Sequence, residues 1–317
     1  MYLKHFSLRE APFSITPDTA FFYPHEGAQA ALNTLLIALR SGEGFLKIVG
    51  EVGCGKTVLC RQLLKTLQPE CVTAYIPNPD MDKTDLLLAL ARELGVTLPA
   101  ATARHQILNV LQTCLLEHAR AGRRVVVCID EAQAIPLRTV ESLRLLSNLE
   151  TEKRKLLQIV LLGQPELDQK LARPEIRQLL QRITFSEYLG PMAAGRVPAY
   201  LAHRLATATC DGATDVAVFE PRAAQSLARH SRGVPRLLNV LAHKCLMLAY
   251  GENEHCVTAR HVRLAVADTG GLDAVDPWWQ KRISFPFAFS KSDLQPVQVM
   301  RVNAPFHRPQ PAAGGLR

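Results

Sequence analysis

One octapeptide has the residue types and spacing that hold the phosphates of a nucleoside triphosphate. Its residues are Gly50, Glu51, Val52, Gly53, Cys54, Gly55, Lys56 and Thr57, which fit the pattern G-x-x-x-x-G-K-[ST]. The glycines of such a loop let backbone N–H groups turn inward around the phosphates. Lys56 then reaches the β- and γ-phosphates, and the Thr57 hydroxyl binds Mg²⁺. We therefore predict that this loop, together with the next residue, Val58, binds nucleotide.

Two adjacent carboxylates, Asp130 and Glu131, follow the apolar run 124–129. Metal binding and general-base catalysis are separate tasks, and two neighbouring acids can divide them. We expect Asp130 to hold Mg²⁺, directly or through water, and Glu131 to orient and deprotonate the attacking water. The alternative is a pair of solvated acids at a strand end. Together with the phosphate loop, the pair favours hydrolysis over binding alone.

A parallel sheet must bring these groups together. Strand-like apolar runs occur at residues 45–49, 71–76, 124–129 and 156–164, and a fifth begins at 182. Helical patterns lie between them, as in an α/β fold with a five-stranded parallel sheet sandwiched by helices. Polar groups in open α/β sheets act at the carboxyl ends of the strands. Gln164, at the end of the fourth run, is therefore expected near the γ-phosphate and the attacking water.

From about residue 191 only helical patterns follow, which predicts a small all-α lid over the nucleotide. Arg236 lies just inside a lid helix that opens with Pro235. It is a candidate γ-phosphate sensor, and the alternative is a surface arginine. The predicted organisation is an N-terminal aromatic and proline segment with a helix (1–44), an ATPase core (45–190), the lid (191–270) and a proline- and aromatic-rich tail (271–317).

The two terminal segments each leave two interpretations open. The N-terminal segment either covers the base of the nucleotide or serves only as a packing strap. The tail contains Trp278 and Trp279 among six prolines. Because exposed tryptophans prefer interfaces, a partner-binding or self-docking tail is favoured over an inert linker.

Composition limits the class of protein. The chain has 317 residues with 48% apolar content, enough for a large domain and a smaller one. Every apolar run is shorter than the roughly 18 residues of a membrane helix, and the start lacks the apolar stretch of a secretion signal. We expect a cytosolic protein whose eight cysteines are reduced thiols. The net charge of +8 permits nucleic-acid binding, but the basic clusters are short and lack aromatic neighbours.

Several stretches taken together resemble the AAA+ ATPases. The matching stretches are residues 50–57, 130–133, 161–167, 181–183 and 233–239. Within that family the chain is most similar to the ExeA/GspA-type secretion ATPases and the MshM-type MSHA pilus biogenesis ATPases. The opening is similar to the N-terminal signature of that group, at Phe6, Pro12, Phe13, Thr16, Pro17, Asp18, Phe21, Phe22 and Tyr23. The resemblance covers about residues 1–270.

The resemblance implies roles for further residues. Gln164 falls where the family has its first sensor, and Arg236 falls where it has its second. Arg182 matches the arginine that precedes the last core strand and reaches into the site of a neighbouring subunit, while Arg177 is a weaker candidate for that role. An arginine finger supplied in trans stabilises transition-state charge. The resemblance therefore implies ATP and Mg²⁺ as ligands and a ring or filament of identical subunits.

The sequence departs from the family pattern at two loop positions. Cys54 replaces a small hydroxyl residue, and Val58 replaces a second threonine. Neither supplies a required ligand, since the loop works mainly through backbone N–H groups, but an exposed Cys54 thiol would make activity sensitive to oxidation. The general secretion members also continue into a membrane helix and a wall-binding region that this sequence lacks. This difference favours the pilus type.

Two functions remain open. The first is a motor or assembly ATPase for a type IV, MSHA-like pilus or a related secretion apparatus, cytoplasmic and held at the inner membrane only through partner proteins. The second is a DNA-associated ATPase similar to the TniB/TnsC transposition regulators, which share the same core. The excess of basic over acidic residues permits this second function, but the absence of a DNA-reading motif makes it the less favoured one.

Overall fold

The computed structural model describes residues 2–68, 70–99, 101–147, 155–209 and 217–270. All of these belong to one compact unit that extends from Met1 to Leu272. The tail with Trp278 and Trp279 lies outside the described residues, as does Cys210. The predicted docking role of the tail therefore stays a prediction.

The five described strands form one parallel sheet in the order β2-β3-β4-β1-β5. They are β1 (Phe45–Gly50), β2 (Cys71–Ile76), β3 (Arg124–Ile129), β4 (Leu157–Gly163) and β5 (Ile183–Leu189). The central strands β1 and β4 are buried along their whole length, which explains why they are apolar apart from Lys47 and Gln158. The predicted α/β fold is confirmed.

Helices cover the sheet and build the lid. They are α1 (Tyr2–His5), α2 (Glu26–Arg40), α3 (Lys56–Leu67), α4 (Lys83–Glu93), α5 (Arg104–Arg120), α6 (Leu137–Ser147), α7 (Glu166–Leu171), α8 (Arg177–Leu180), α9 (Val197–Ala208), α10 (Pro221–Ser231), α11 (Pro235–Gly251) and α12 (Ala259–Ala267). None of these described helices has the length and apolarity needed to span a membrane. Residues 174–180 form a 3₁₀ turn followed by α8 and not one continuous helix, because Ile176 leaves the helical region with φ −118°.

Alternate residues of each strand point to opposite faces, so the sheet has a core on each side. Phe45 and Ile129 face the core shared with α4 to α8. Leu46 and Cys128 face the other core, where α2 and α3 pack. The helices packed on both faces hold the sheet in place, and with it the strand ends, where the polar site residues lie.

The lid has a third core, and the beginning of the chain completes it. Helices α9 to α12 enclose it, and the N-terminal side chains Phe6, Leu8, Phe13 and Phe21 are buried within it. The backbone N–H of Arg9 donates to the carbonyl of Ala208 at 2.8 Å. The first part of the N-terminal segment, up to Phe21, is therefore structurally part of the lid, whereas α2 packs against the sheet, an arrangement that the sequence patterns did not predict.

Candidate functional site

The phosphate loop connects β1 directly to α3. Gly53 and Gly55 have φ values of 82° and 94°, which turn the backbone between the strand and the helix. Nζ of Lys56 donates to the carbonyl oxygens of Gly50 and Glu51 at 2.7 and 3.0 Å. Burial of this ammonium lowers its pKa, although nearby carboxylates oppose the shift. The loop is thus a compact cradle at a helix N-terminus, which is a favourable position for phosphate.

A hydroxyl and a carboxylate meet beside the loop. Thr57 Oγ1 donates to Asp130 Oδ2 at 2.6 Å, and Asp130 is only 2% exposed. Tyr75, on the neighbouring strand β2, donates to the same carboxylate oxygen at 3.2 Å. Burial is the main reason that the pKa of the Tyr75 phenol is raised, and the negative charge of Asp130 raises it further. Oxygen ligands of this kind fit Mg²⁺, which is a hard cation.

Two glutamines hold the carboxylate of Glu131. Its Oε2 accepts hydrogen bonds from Gln133 Nε2 at 2.5 Å and from Gln164 Nε2 at 3.1 Å. The backbone N–H of Gln164 donates in turn to Gln133 Oε1 at 3.0 Å. Glu131 has φ 49°, an unusual value for a residue other than glycine. Gln133, which follows β3, and Gln164, which follows the neighbouring strand β4, thus form a bracket that holds the Glu131 carboxylate. The strained turn points this carboxylate toward them.

The sequence patterns assigned no role to Gln133, which occupies the centre of this bracket. The turn that carries it is tied down by Lys170, whose Nζ donates to the carbonyls of Gln133 and Ile135. Gln133 could be recognised only once the Glu131 turn and the end of β4 were placed side by side. Gln133 belongs to the matching stretch at residues 130–133, but that stretch gave no indication of its function.

The lid touches the phosphate loop through the residue that was predicted as a sensor. The backbone N–H of Arg236 donates to the carbonyl of Gly53 at 3.1 Å. Arg236 lines the same cavity as Lys56, Thr57 and Glu131. Its side chain is exposed at this cavity rather than buried in the lid. The backbone of Arg236 therefore links the lid to the phosphate loop.

The N-terminal segment closes another side of this cavity, whose volume is about 210 Å³. Arg61 of α3 donates to the carbonyl of Pro17 at 2.6 Å. Arg204 of α9 donates to the carbonyl of Pro12 at 2.5 Å and lies 4.5 Å from the ring centre of Phe21. The segment thus both lines the cavity and straps the lid to the core, so the two interpretations of its sequence are compatible.

The two finger candidates lie outside the cavity-lining residues. Arg182 directly precedes β5, an edge strand of the sheet, and is partly buried. Arg177 begins α8 and is exposed. Phe185 and Tyr188 on the same edge strand are 39% and 48% exposed. The finger role of either arginine in a second subunit stays a prediction.

The condition for an oxidation-sensitive Cys54, an exposed thiol, is not met in the structure. Its side chain is only 2% exposed, and burial raises the pKa of the thiol to about 11. Because the thiolate is the reactive form, this cysteine is protected against oxidation. Val52 is 52% exposed at the tip of the loop, and Val58 is partly buried in the first turn of α3.

Comparisons with known proteins agree with this geometry. Residues 39–171 match the family model described as an AAA domain. The ADP form of the Aeropyrum pernix ORC2 protein matches with a TM-score of 0.63 at 19% identity, covering 81% of this chain and 72% of that one. The chain has an AAA ATPase fold. The Aeropyrum pernix ORC1 protein in complex with DNA shares this AAA fold, with a TM-score of 0.61 at 19% identity over 82% of this chain and 69% of that one.

A curated relative is more similar in sequence. The AAA chain is 40% identical to general secretion pathway protein A of Aeromonas hydrophila over 278 residues, which are 88% of this chain and 50% of that protein. The chain therefore spans about half the length of this relative. The two results together show an AAA domain whose sequence is similar to that of general secretion pathway protein A.

Proposed function

We propose that the protein binds ATP with Mg²⁺ and hydrolyses the phosphoanhydride bond between the β- and γ-phosphates, converting ATP and water to ADP and phosphate. The observation that carries the proposal is the bracketed carboxylate of Glu131, which lines the same cavity as Lys56 and Thr57. Phosphate binding needs only the loop. A carboxylate held by Gln133 and Gln164 at this position supplies the general base that hydrolysis also requires.

Each residue of the site has a distinct task in this proposal. Lys56 exchanges its bonds to loop carbonyls for phosphate oxygens, and the N-terminus of α3 adds positive potential. Thr57 and Asp130 hold the metal, which when bound neutralises phosphate charge. Glu131 takes a proton from the attacking water, and Gln164 orients that water. All of these groups lie at the carboxyl ends of parallel strands, where open α/β sheets position their ligands.

We further propose that hydrolysis requires a second copy of the chain. Arg182 would supply the finger that stabilises transition-state charge in the neighbouring site, with Arg177 as the weaker alternative. Support comes from the position of Arg182 beside the edge strand β5, whose exposed Phe185 and Tyr188 provide apolar surface for a subunit contact. A ring or a filament would satisfy this geometry.

We propose that the energy of ATP hydrolysis drives the assembly of an apparatus of the cell envelope. The 40% identity to general secretion pathway protein A supports a role in secretion or in the related assembly of a type IV, MSHA-like pilus. The partners would be inner-membrane proteins of that apparatus, and the protein would act on the cytoplasmic side. Arg236 would pass the nucleotide state to the lid, because its backbone is hydrogen-bonded to the phosphate loop.

A DNA-associated role of the TniB/TnsC kind is the second candidate. The net charge of +8 and a cluster of arginines on the lid favour it. A pull-down in ATP with the Glu131→Gln variant, which should bind ATP but turn it over slowly, separates the two candidates. Recovery of inner-membrane pilus or secretion proteins supports the first, whereas recovery of DNA without them supports the second.

The hydrolysis proposal is tested on three purified variants. Lys56→Ala should abolish ATP binding, and Glu131→Gln should bind ATP while hydrolysing it slowly. Lys65→Ala is the matched control, because Lys65 is an exposed lysine on the same helix. Unchanged ATP affinity in Lys56→Ala would refute the phosphate-loop assignment, and near-normal turnover in Glu131→Gln would remove that residue as the base.

The finger is tested by mixing inactive proteins. Arg182→Ala keeps an intact pocket, whereas Lys56→Ala keeps an intact finger. A mixture should regain activity that neither variant has alone, since a mixed assembly contains complete sites. If no mixing ratio restores turnover, the proposal of a finger in trans fails.

A further inference from the structure

A groove on the lid is lined by positive side chains and lies apart from the nucleotide cavity. Its lining residues from α10 are Arg222, Gln225, Ser226, Arg229 and His230, and those from α12 are Ala259 and Arg263. The groove has a volume of about 540 Å³, and its described lining contains no carboxylate. The Nδ1 of His230 donates to the carbonyl of Ser226 at 2.8 Å, which fixes the ring within the groove.

The three arginines of this groove lack the ion pairs that several other described arginines form. Arg40, Arg196 and Arg260 each form an ion pair with a glutamate. Among the described residues, the side chains of Arg222, Arg229 and Arg263 have no ion pair and no hydrogen-bonded partner. Three like charges held around one concave surface repel each other, so a ligand that neutralises them would be bound favourably.

The spacing of the arginine positions along α10 indicates an extended polyanion. Arg222 and Arg229 are seven residues apart on one face of α10, which is about 10.5 Å along the helix axis. Three nucleotides of one DNA strand rise by about 10 Å. Guanidinium groups bind phosphate oxygens through two parallel N–H donors, which suits arginine better than lysine for this contact. Arg263 on α12 would contact the same strand from the opposite wall.

We propose that the groove between α10 and α12 binds the phosphate backbone of a nucleic acid, without reading its sequence. An acidic protein partner is less favoured, because protein interfaces are centred on buried apolar anchors and Ala259 is the only apolar residue of the described lining. An anionic membrane is also less favoured. Helix α10 already buries its apolar face in the lid core, and it has no second apolar face to insert.

The proposal stands independently of ATP hydrolysis, since the groove shares no residue with the nucleotide cavity. A covalent path nevertheless joins the two sites. Helix α10 ends at Ser231, and four residues later α11 begins at Pro235, next to the Arg236 that is hydrogen-bonded to Gly53. A nucleic acid in the groove would therefore contact α10, which leads directly into α11 and its hydrogen bond to the phosphate loop.

The direct test measures binding of a short fluorescein-labelled DNA duplex by anisotropy between about 50 and 200 mM salt. The full-length protein should bind with an affinity that falls steeply with salt. In the triple variant R222Q/R229Q/R263Q, the slope of log K against log salt should decrease by about 2.7, since each phosphate contact contributes about 0.9. The variant R92Q/R120Q/R173Q loses the same charge at exposed positions outside the groove and should keep the wild-type slope.

Three outcomes would overturn the proposal. They are absence of DNA binding by the wild-type protein at low salt, equal slopes in the two triple variants, and a groove-dependent affinity for polyglutamate or for phosphatidylglycerol vesicles that exceeds the affinity for DNA. Basal ATPase activity should remain unchanged in the groove variant. If the triple variant does not fold, the single variants R222Q, R229Q and R263Q replace it, and each should reduce the slope by about 0.9.

Discussion

Replacement of Gly53 by alanine is expected to separate the lid from the phosphate loop. Gly53 has φ 82°, and a Cβ atom there would lie 2.7 Å from Cβ of Arg236 and 3.1 Å from Cγ1 of Val234. Neither neighbour is the free end of a flexible side chain. The new methyl group must therefore displace the start of α11, which also breaks the hydrogen bond from Arg236 N–H to the Gly53 carbonyl.

The cost of this substitution has three parts. The left-handed backbone costs a residue with a Cβ atom about 1–2 kcal/mol. Overpacking adds about 1–3 kcal/mol, and loss of the backbone hydrogen bond adds about 0.5–1.5 kcal/mol. Gly122→Ala isolates the first part, because Gly122 has φ 72° and no atom lies within 4 Å of its added Cβ. The difference between the two variants is therefore expected to be about 1.5–4.5 kcal/mol.

Urea unfolding of both variants without nucleotide measures this difference directly. Gly53→Ala should also bind ATP more weakly, since the displaced α11 carries Arg236, whereas Gly122→Ala should retain wild-type affinity. Equal free energies of unfolding for the two variants would show that the lid does not rest on the loop in solution. The proposed route from nucleotide to lid would then lose its physical basis.

Three further outcomes follow from contacts at the same cavity. Arg204→Met should lower the free energy of unfolding by about 1.5–3 kcal/mol, since a charged hydrogen bond to Pro12 is lost; an unchanged urea midpoint would contradict this. Gln133→Ala should reduce kcat about 10- to 100-fold through a misplaced Glu131, with unchanged ATP affinity in a binding assay; unchanged turnover would rule out this positioning role. Iodoacetamide should modify Cys114 before Cys54 in the native protein, as mass spectrometry of peptides would reveal; early labelling of Cys54 would mean that its site opens.

Local sequence was sufficient for the parts of the site that a continuous segment builds. The phosphate loop is defined by glycines within eight residues, so the turn, Lys56 and Thr57 could all be located from the pattern. The strand before it was equally clear, because a strand buried on both faces is mostly apolar, and here Lys47 is the one charged residue of β1. Gln164 was placed near Glu131 by the rule that parallel strands carry polar groups at their carboxyl ends, and the two side chains are hydrogen-bonded.

Contacts between distant segments left no local signal. Tyr75 is hydrogen-bonded to Asp130, which lies 55 positions away in the sequence, because β2 pairs with β3. The residues around Tyr75 do not distinguish it from any other tyrosine in a strand. Arg204 lies in an ordinary amphipathic helix, and only the path of the N-terminal segment reveals its partners. The aromatic residues near Phe13 indicated burial, but they could not indicate that the lid provides the surrounding core.

The shared core of the lid and the N-terminal segment has a consequence for how the protein is synthesised. Phe6, Phe13 and Phe21 leave the ribosome before the helices that surround them, which begin near residue 197 and end near 267. At about 5–20 residues per second, these side chains wait roughly 10 to 40 s for their partners. The sheet can form during this interval, whereas the core of the lid can close only after the residues up to about 267 have been made. Phe6, Phe13 and Phe21 are thus among the last of the described residues to be packed.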